Sequence, residues 1–334
     1  MTRRSFLAAA GAAATASFAA ATPPRSRMGI ASTCYMTVWR PKDSIEFLEH
    51  CDALGAGGVQ TFLSSLEPDY CHKFRARAEQ AGMYVEAMVP LPKGDSGEFE
   101  KYIVAAKEAG ADRVRAGALS GRRYESFPTL EDWKKFVADA HAAIERAVPV
   151  LERHKMPMAL ENHKDWTIVD MLGIMKNYSS EYLGVCIDTG NNISLLDDPM
   201  EVVRAFAPYA VATHVKDMGV AEYPEGFLMS EMPLGDGMLD MKEVVRMIQS
   251  ARPNTRITLE MITRDPLKVP CLTDQYWKTF PDRSGKYLAD TLALVRKHPR
   301  QLPTLDGLAK PMQLRLEDEN VKHSLNYARN SLNL

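Results

Sequence analysis

The chain lacks several features that would have placed it quickly. Beyond its N-terminal segment no uninterrupted apolar run reaches the ~20 residues that a spanning helix needs. It has no surplus of either charge: 41 Lys and Arg stand against 43 Asp and Glu, a net of −2 in 334 residues. There is therefore no electrostatic reason to expect nucleic-acid binding. No Cys-x-x-Cys pair occurs, and the five cysteines (Cys34, Cys51, Cys71, Cys186, Cys271) are an odd number, which argues against a disulfide framework and a cysteine metal site. Cys186 lies in the apolar run Gly184-Val185-Cys186-Ile187, where a thiol behaves as a small hydrophobe. With 46% hydrophobic and 25% charged residues the composition is that of a globular protein, neither disordered, collagenous nor coiled-coil.

The first residues are present but foreign to a fold. Arg3-Arg4-Ser5-Phe6-Leu7 precedes an Ala-rich, weakly apolar stretch and Pro23-Pro24, the pattern of a twin-arginine export signal over residues 1–22. A frayed Ala-rich helix is the plainer alternative, and the Arg-Arg-x-Phe-Leu order argues against it. The mature chain is expected outside the cytoplasm of a bacterium, in the periplasm or beyond, with no membrane contact once the signal is removed.

Eight short apolar runs alternate with segments of helical period. The runs are Met28–Tyr35, Gly57–Phe62, Tyr84–Leu91, Asp112–Leu119, Met156–His163, Leu183–Thr189, Ala210–Lys216 and Arg256–Met261. Helices are predicted between them, among them Leu130–His154 and Met241–Ala251, with glycine stops at Gly55, Gly82 and Gly110. Eight such units read as an α/β protein, a (β/α)8 TIM barrel over residues 23–300, because parallel strands need crossover helices. The rival, a doubly wound sheet, is weakened because no Gly-x-Gly-x-x-Gly follows the first run. Residues 217–238 and 262–284 are long connections after the seventh and eighth strands, expected to be lids or substrate walls. The polar, asparagine-rich stretch 301–334 is expected to pack as one helix outside the barrel.

Four consecutive strands end on an ionisable residue: Glu161, Asp188, His214 and Glu260. A carboxylate closing a buried strand is costly unless a cation neutralises it. Neighbouring strands would bring the four to one point at the barrel mouth. Three carboxylates and one imidazole suit a single divalent cation such as Mn2+, Co2+, Mg2+ or Zn2+. The plain alternative is strand-end residues facing solvent.

Glu161-Asn162-His163, Asp188-Thr189-Gly190-Asn191, His214-Val215-Lys216-Asp217, Gly235-Asp236-Gly237 with Asp240, and then Glu260 resemble, in motif order over about residues 28–300, the xylose-isomerase-like barrel family of sugar isomerases and epimerases. The resemblance implies that Glu161 and Glu260 form an acid/base pair on opposite faces of a sugar, with the metal stabilising the enediolate formed by proton removal beside a carbonyl. It implies that Asp188 and His214 complete the ligand set. Lys216 is placed to assist an oxyanion, or else to form a salt bridge to Asp217 or Asp188. His163 touches substrate or supports its neighbours, Arg115 reaches a substrate oxygen or lies at the rim, and Trp277 stacks on a sugar ring or packs within its loop. The endonucleases of this fold carry further metal-binding histidines; here Asn191 stands where one would be, and no Asp-x-His follows His214. No arginine cluster or Gly-rich nest for a phosphate is evident.

These features imply a metal-dependent isomerase or epimerase of a non-phosphorylated carbohydrate. One alternative is a 3-keto-glycoside lyase that shares its first step. Another is a non-catalytic sugar-binding barrel, against which the intact set of four ligands argues. Members of the family are often homo-oligomers.

Overall fold

The computed structural model describes residues 25–334, so the twin-arginine segment lies outside the described residues. The expected (β/α)8 barrel is observed. Its strands are β1 (Gly29–Ala31), β2 (Gly58–Phe62), β3 (Tyr84–Met88), β4 (Ala111–Ala116), β5 (Met158–Glu161), β6 (Leu183–Asp188) and β7 (Ala210–His214). A hairpin of β8 (Asp217–Tyr223) and β9 (Gly226–Met232) interrupts the series before β10 (Thr258–Leu259), which pairs in parallel with β1 and completes the eight-stranded sheet. Every residue of β5 and β6 is buried, as strands covered on both faces must be.

Helices follow the barrel strands because each apolar face has a sheet to cover. Pro68–Ala81 stops at Gly82, whose φ of +64° is a left-handed conformation that a Cβ would oppose. Ile168–Tyr178 opens on a capping box in which Thr167 and Asp170 satisfy each other's backbone amides. The long helix Leu130–His154 buries Ile144, Ala147 and Leu151 in the main core. Among the described residues no helix is long and apolar enough to cross a membrane.

Three features depart from the reading of the sequence. The first strand ends at Ala31 and passes into a 3-10 turn over Ser32–Tyr35. The eighth is two residues long because a side chain replaces part of its ladder: the Thr258 amide donates to the Thr213 hydroxyl at 2.9 Å. The seam between β7 and β10 is then held by Val215, whose amide donates to Thr258 (2.8 Å) and whose carbonyl accepts from Glu260 (3.0 Å). Finally, the two long connections are not loose loops. β11 (Leu267–Val269), from the second, adds antiparallel to β9 and makes a three-stranded sheet beside the barrel mouth. That sheet carries its own core of Met218, Val220, Phe227, Met229 and Val269 with Tyr276, Phe280 and Val295.

The helix Gly285–Lys297 contributes Val295 to this second core, whereas Lys310–Ser331 buries Val321, Leu325 and Ala328 in the main one. Glu317 of that last helix is fully buried and accepts from the amides of Val38 and Trp39 at 2.9 and 2.8 Å, tying it to the loop after β1. All five cysteines are buried and unpaired.

Candidate metal centre

Glu161, Asp188 and His214 are the last residues of β5, β6 and β7, and Glu260 directly follows β10. In the sheet register Asp188 lies opposite His214, so parallel strands carry their ends to one level. All four side chains are buried, and one ligand atom from each lies within 4.8 Å of the others.

The orientation of His214 is set from below. Its Nε2 meets Gln60 Oε1 at 2.5 Å, while Gln60 Nε2 donates to the buried Glu86 at 2.9 Å. Glu86 also accepts from the Thr258 hydroxyl at 3.0 Å. Because the Gln60 amide nitrogen is committed to Glu86, its oxygen faces His214, and Nε2 carries the ring proton. Burial pushes the His214 pKa down to about 4, so the ring is neutral and Nδ1 is bare. That bare nitrogen lies 3.2 Å from Glu260 Oε1 and 3.5 Å from Glu161 Oε1. Glu161 Oε2, Asp188 Oδ2 and His214 Nδ1 are all buried without a well-formed hydrogen bond.

Cations and amides surround these acceptors. Lys216 Nζ reaches Asp188 Oδ2 at 2.7 Å, Glu260 Oε2 at 2.5 Å and Glu231 at 3.9 Å. Burial opposes its charge, but Asp188, Glu260 and Glu231 outweigh that and hold its pKa above the ordinary lysine value. Burial likewise opposes the charge on Glu260, yet Lys216, which donates to it, and Arg115 keep its pKa well below the carboxylate range. Burial dominates at Asp188 and raises its pKa. Arg115, on β4, turns inward to Glu161. Asp188 Oδ1 is fixed by the amides of Gly190 and Asn191 at 2.9 and 2.7 Å, and Asn191 Nδ2 donates to Glu161 at 3.3 Å.

The structure thus brings Lys216 and Arg115 to the four strand-end residues. His163 is partly exposed with a buried, unpartnered Nδ1. Burial, with Lys164 and Arg115 nearby, keeps its pKa well below the usual histidine value. Trp277 is not brought to the cluster: its indole donates to the Cys271 carbonyl at 2.9 Å and its ring packs against Tyr276 and Phe280. Asp217 does not pair with Lys216; it accepts from the amides of Met218, Gly235, Gly237 and Leu239. Gly235-Asp236-Gly237 therefore serves the hairpin, and Asp240 caps the helix Met241–Ala251. Sequence reasoning missed Gln60, Glu86, Lys164 and the Glu231–Arg264 pair that the small sheet and its flanking loop set beside Lys216.

Known proteins can now be set beside this geometry. The curated 3-oxo-isoapionate decarboxylase of Pectobacterium atrosepticum is 26% identical over 242 residues, 69% of this chain and 82% of that protein. A D-psicose 3-epimerase crystallised with D-fructose superimposes with a TM-score of 0.60 at 13% identity, covering 91% of this chain and 99% of that one. The 3-keto-D-glucoside 4-epimerase of E. coli gives 0.54 at 14% identity, over 82% of this chain and 100% of that one. A barrel from Mycobacterium smegmatis in complex with magnesium gives 0.58 at 17% identity, over 80% and 98%. At these identities the structural likeness speaks for the fold alone. The sequence profile of the xylose isomerase-like TIM barrel matches residues 48–279, a span that contains all four strand-end residues and well over half of the chain, and the chain belongs to that family.

Proposed function

We propose that the chain is a divalent-metal-dependent isomerase or epimerase that removes a proton beside a carbonyl of a non-phosphorylated sugar or sugar derivative, working outside the cytoplasm. The observation that carries the metal is the unprotonated Nδ1 of His214 facing oxygens of Glu161 and Glu260 at 3.5 and 3.2 Å. Three acceptors with no donor between them repel one another until a cation is shared. Glu161, Asp188, His214 and Glu260 would hold it. When bound, a divalent cation supplies Lewis-acid stabilisation of the negative charge that develops on the substrate.

The rest of the chemistry belongs to the chain. One of Glu161 and Glu260 takes the proton from carbon, leaving its electron pair in an enediolate. The other returns a proton, to the opposite face of the same carbon in an epimerase or to the neighbouring carbon in an isomerase. Glu260, held ionised beside Lys216, suits the accepting role. Lys216 donates toward the charge that forms, and Arg115 steadies Glu161.

A second reading draws on the decarboxylase relative. Loss of carbon dioxide from a 3-oxo acid leaves an enolate that one of the same glutamates would protonate, so the site needs no new group.

Deuterium uptake in D2O tests the first reading. With Mn2+ supplied, ketoses are expected to gain deuterium beside the carbonyl. If neither ketoses nor 3-keto glycosides exchange, and no metal binds, the proposal falls. Release of carbon dioxide from a 3-oxo sugar acid without exchange would favour the second reading.

A further inference from the structure

Phe62 is the most exposed aromatic residue among the described ones, 53% exposed, although it closes a strand whose other four residues are buried. Its direction follows from its neighbours. Gln60, two residues earlier, points into the barrel to His214, and residues two apart on a strand share a face. Phe62 therefore stands on the lumen side, roughly 7 Å nearer the mouth. In the sheet register it lies opposite Met88, and Met88 lies opposite Arg115, whose guanidinium reaches Glu161. This row of three carries the level of the strand-end residues around the rim.

The four candidate ligands stand on β5, β6, β7 and just after β10, and they leave β1 to β4 as the facing wall. β2 and β6 are four strands apart in the ring of eight, so Phe62 faces Asp188 across the mouth. Met36, 50% exposed, follows the 3-10 turn Ser32–Tyr35 that packs on β2, and brings a second open apolar side chain to the same side. A sugar held by its oxygens on the charged bank meets, on this one, a phenyl ring that offers no hydrogen bond. A polyol chain gains little there, whereas an aryl group stacks on the ring and removes its apolar surface from water. We propose that the substrate is a keto sugar whose anomeric oxygen carries an aromatic aglycone, and that Phe62 is the specificity-determining residue that stacks on that aglycone. The proposal rests on the keto-sugar reading above and selects, within it, ring-closed aryl glycosides over free ketoses.

Calorimetry on the Mn2+-loaded protein, with metal content measured in parallel, tests this. The probes are methyl and phenyl β-D-glucopyranoside, each oxidised to the ketone at C3, with D-fructose as the free ketose. The phenyl glycoside is expected to bind at least about tenfold more tightly than the methyl one, and more tightly than D-fructose. In Phe62→Ala the two glycosides are expected to bind equally, with the affinity of the methyl glycoside and the metal content unchanged; Phe62→Trp should keep the preference. A loosened fold would weaken both glycosides and leave their ratio, so the ratio is the readout. Equal affinity for the two glycosides, a preference for D-fructose, or no binding of either glycoside by loaded wild-type protein overturns the substrate class. None of these comparisons needs the variant to fold. A phenyl preference that survives in Phe62→Ala removes the role of Phe62. Wild-type dimers that dissociate in Phe62→Ala, seen by light scattering, would give the ring to a subunit interface and overturn the proposal. Failure to take up metal would instead sink the underlying functional reading.

Discussion

Gln60 decides which nitrogen of His214 is bare, although its side-chain hydrogen bonds go to His214 and Glu86 and to none of the carboxylate ligands. Truncating it to alanine leaves Nε2 without its acceptor and frees the ring to turn. Metal affinity is expected to fall about 10–100-fold, with the fold intact, when measured by competition with a chelator; unchanged affinity would remove Gln60 from the support of the site. Glu260→Gln should behave differently. The amide keeps one oxygen for the cation, so some metal stays bound, but proton exchange is abolished; normal turnover in that variant would end the acid/base assignment. A third residue titrates on its own. Burial lifts the Asp165 carboxyl to about 7 despite hydrogen bonds from the Trp166 and Leu119 amides. The folded chain therefore keeps this proton where the unfolded chain, with an ordinary value of about 3.9, has lost it. The stability it lends is complete below pH ~4 and drains away as pH rises toward 7, by at most about 1.4 kcal/mol per unit. Asp165→Asn should flatten that slope in urea titrations at about pH 5 and 7; parallel slopes in the two proteins would contradict it.

At the scale of elements, the hairpin β8–β9 is anchored by one side chain. Asp217 collects four backbone amides from the hairpin's start and from the turn that follows it, and Gly237 must stay bare for this to happen. A Cβ at Gly237 would run into Asp217 Oδ1 and stand 2.7 Å from the Met218 amide nitrogen. Gly237→Ala is expected to cost about 1–3 kcal/mol and to disturb Lys216, the neighbour of Asp217, so that activity falls along with thermal stability. Such contacts also show which parts of the molecule could be read beforehand. Apolar runs buried on both faces announce barrel strands, and a charged residue closing such a run is conspicuous, which is why Glu161, Asp188, His214 and Glu260 could be chosen from sequence. Gln60 and Glu86 sit inside runs of the same kind; Gln60 meets His214 across the barrel, 154 residues further along the chain, and Glu86 reaches the imidazole only through Gln60. Glu231 lies in a segment whose length suggested a loop, and its place on β9 follows from pairing with β8. Trp277 drew attention by its type, but its aromatic neighbours in the second core claim it.

For the whole molecule, the ligand set links the second half of the barrel. A cation present at about a hundred times its Kd adds ~2.7 kcal/mol to the stability of a protein that binds it only when folded. Chelation should therefore lower the melting temperature, and re-addition of Mn2+ should restore it; a melting temperature indifferent to both would count against the centre. The position of that link matters as much as its strength. The barrel is thinnest between β7 and β10, where Val215 and a side-chain hydroxyl stand in for a full ladder. Glu260 lies on one bank of this seam, and Asp188 and His214 on the other. A shared cation would act there as a rivet, and the rate at which deuterium enters the backbone would report it. The Val215 and Glu260 amides should exchange markedly faster once metal is stripped, while those of β2 and β3, paired over five residues on the far side of the barrel, keep their protection. In such a barrel the ion that serves the chemistry also decides where the wall first opens.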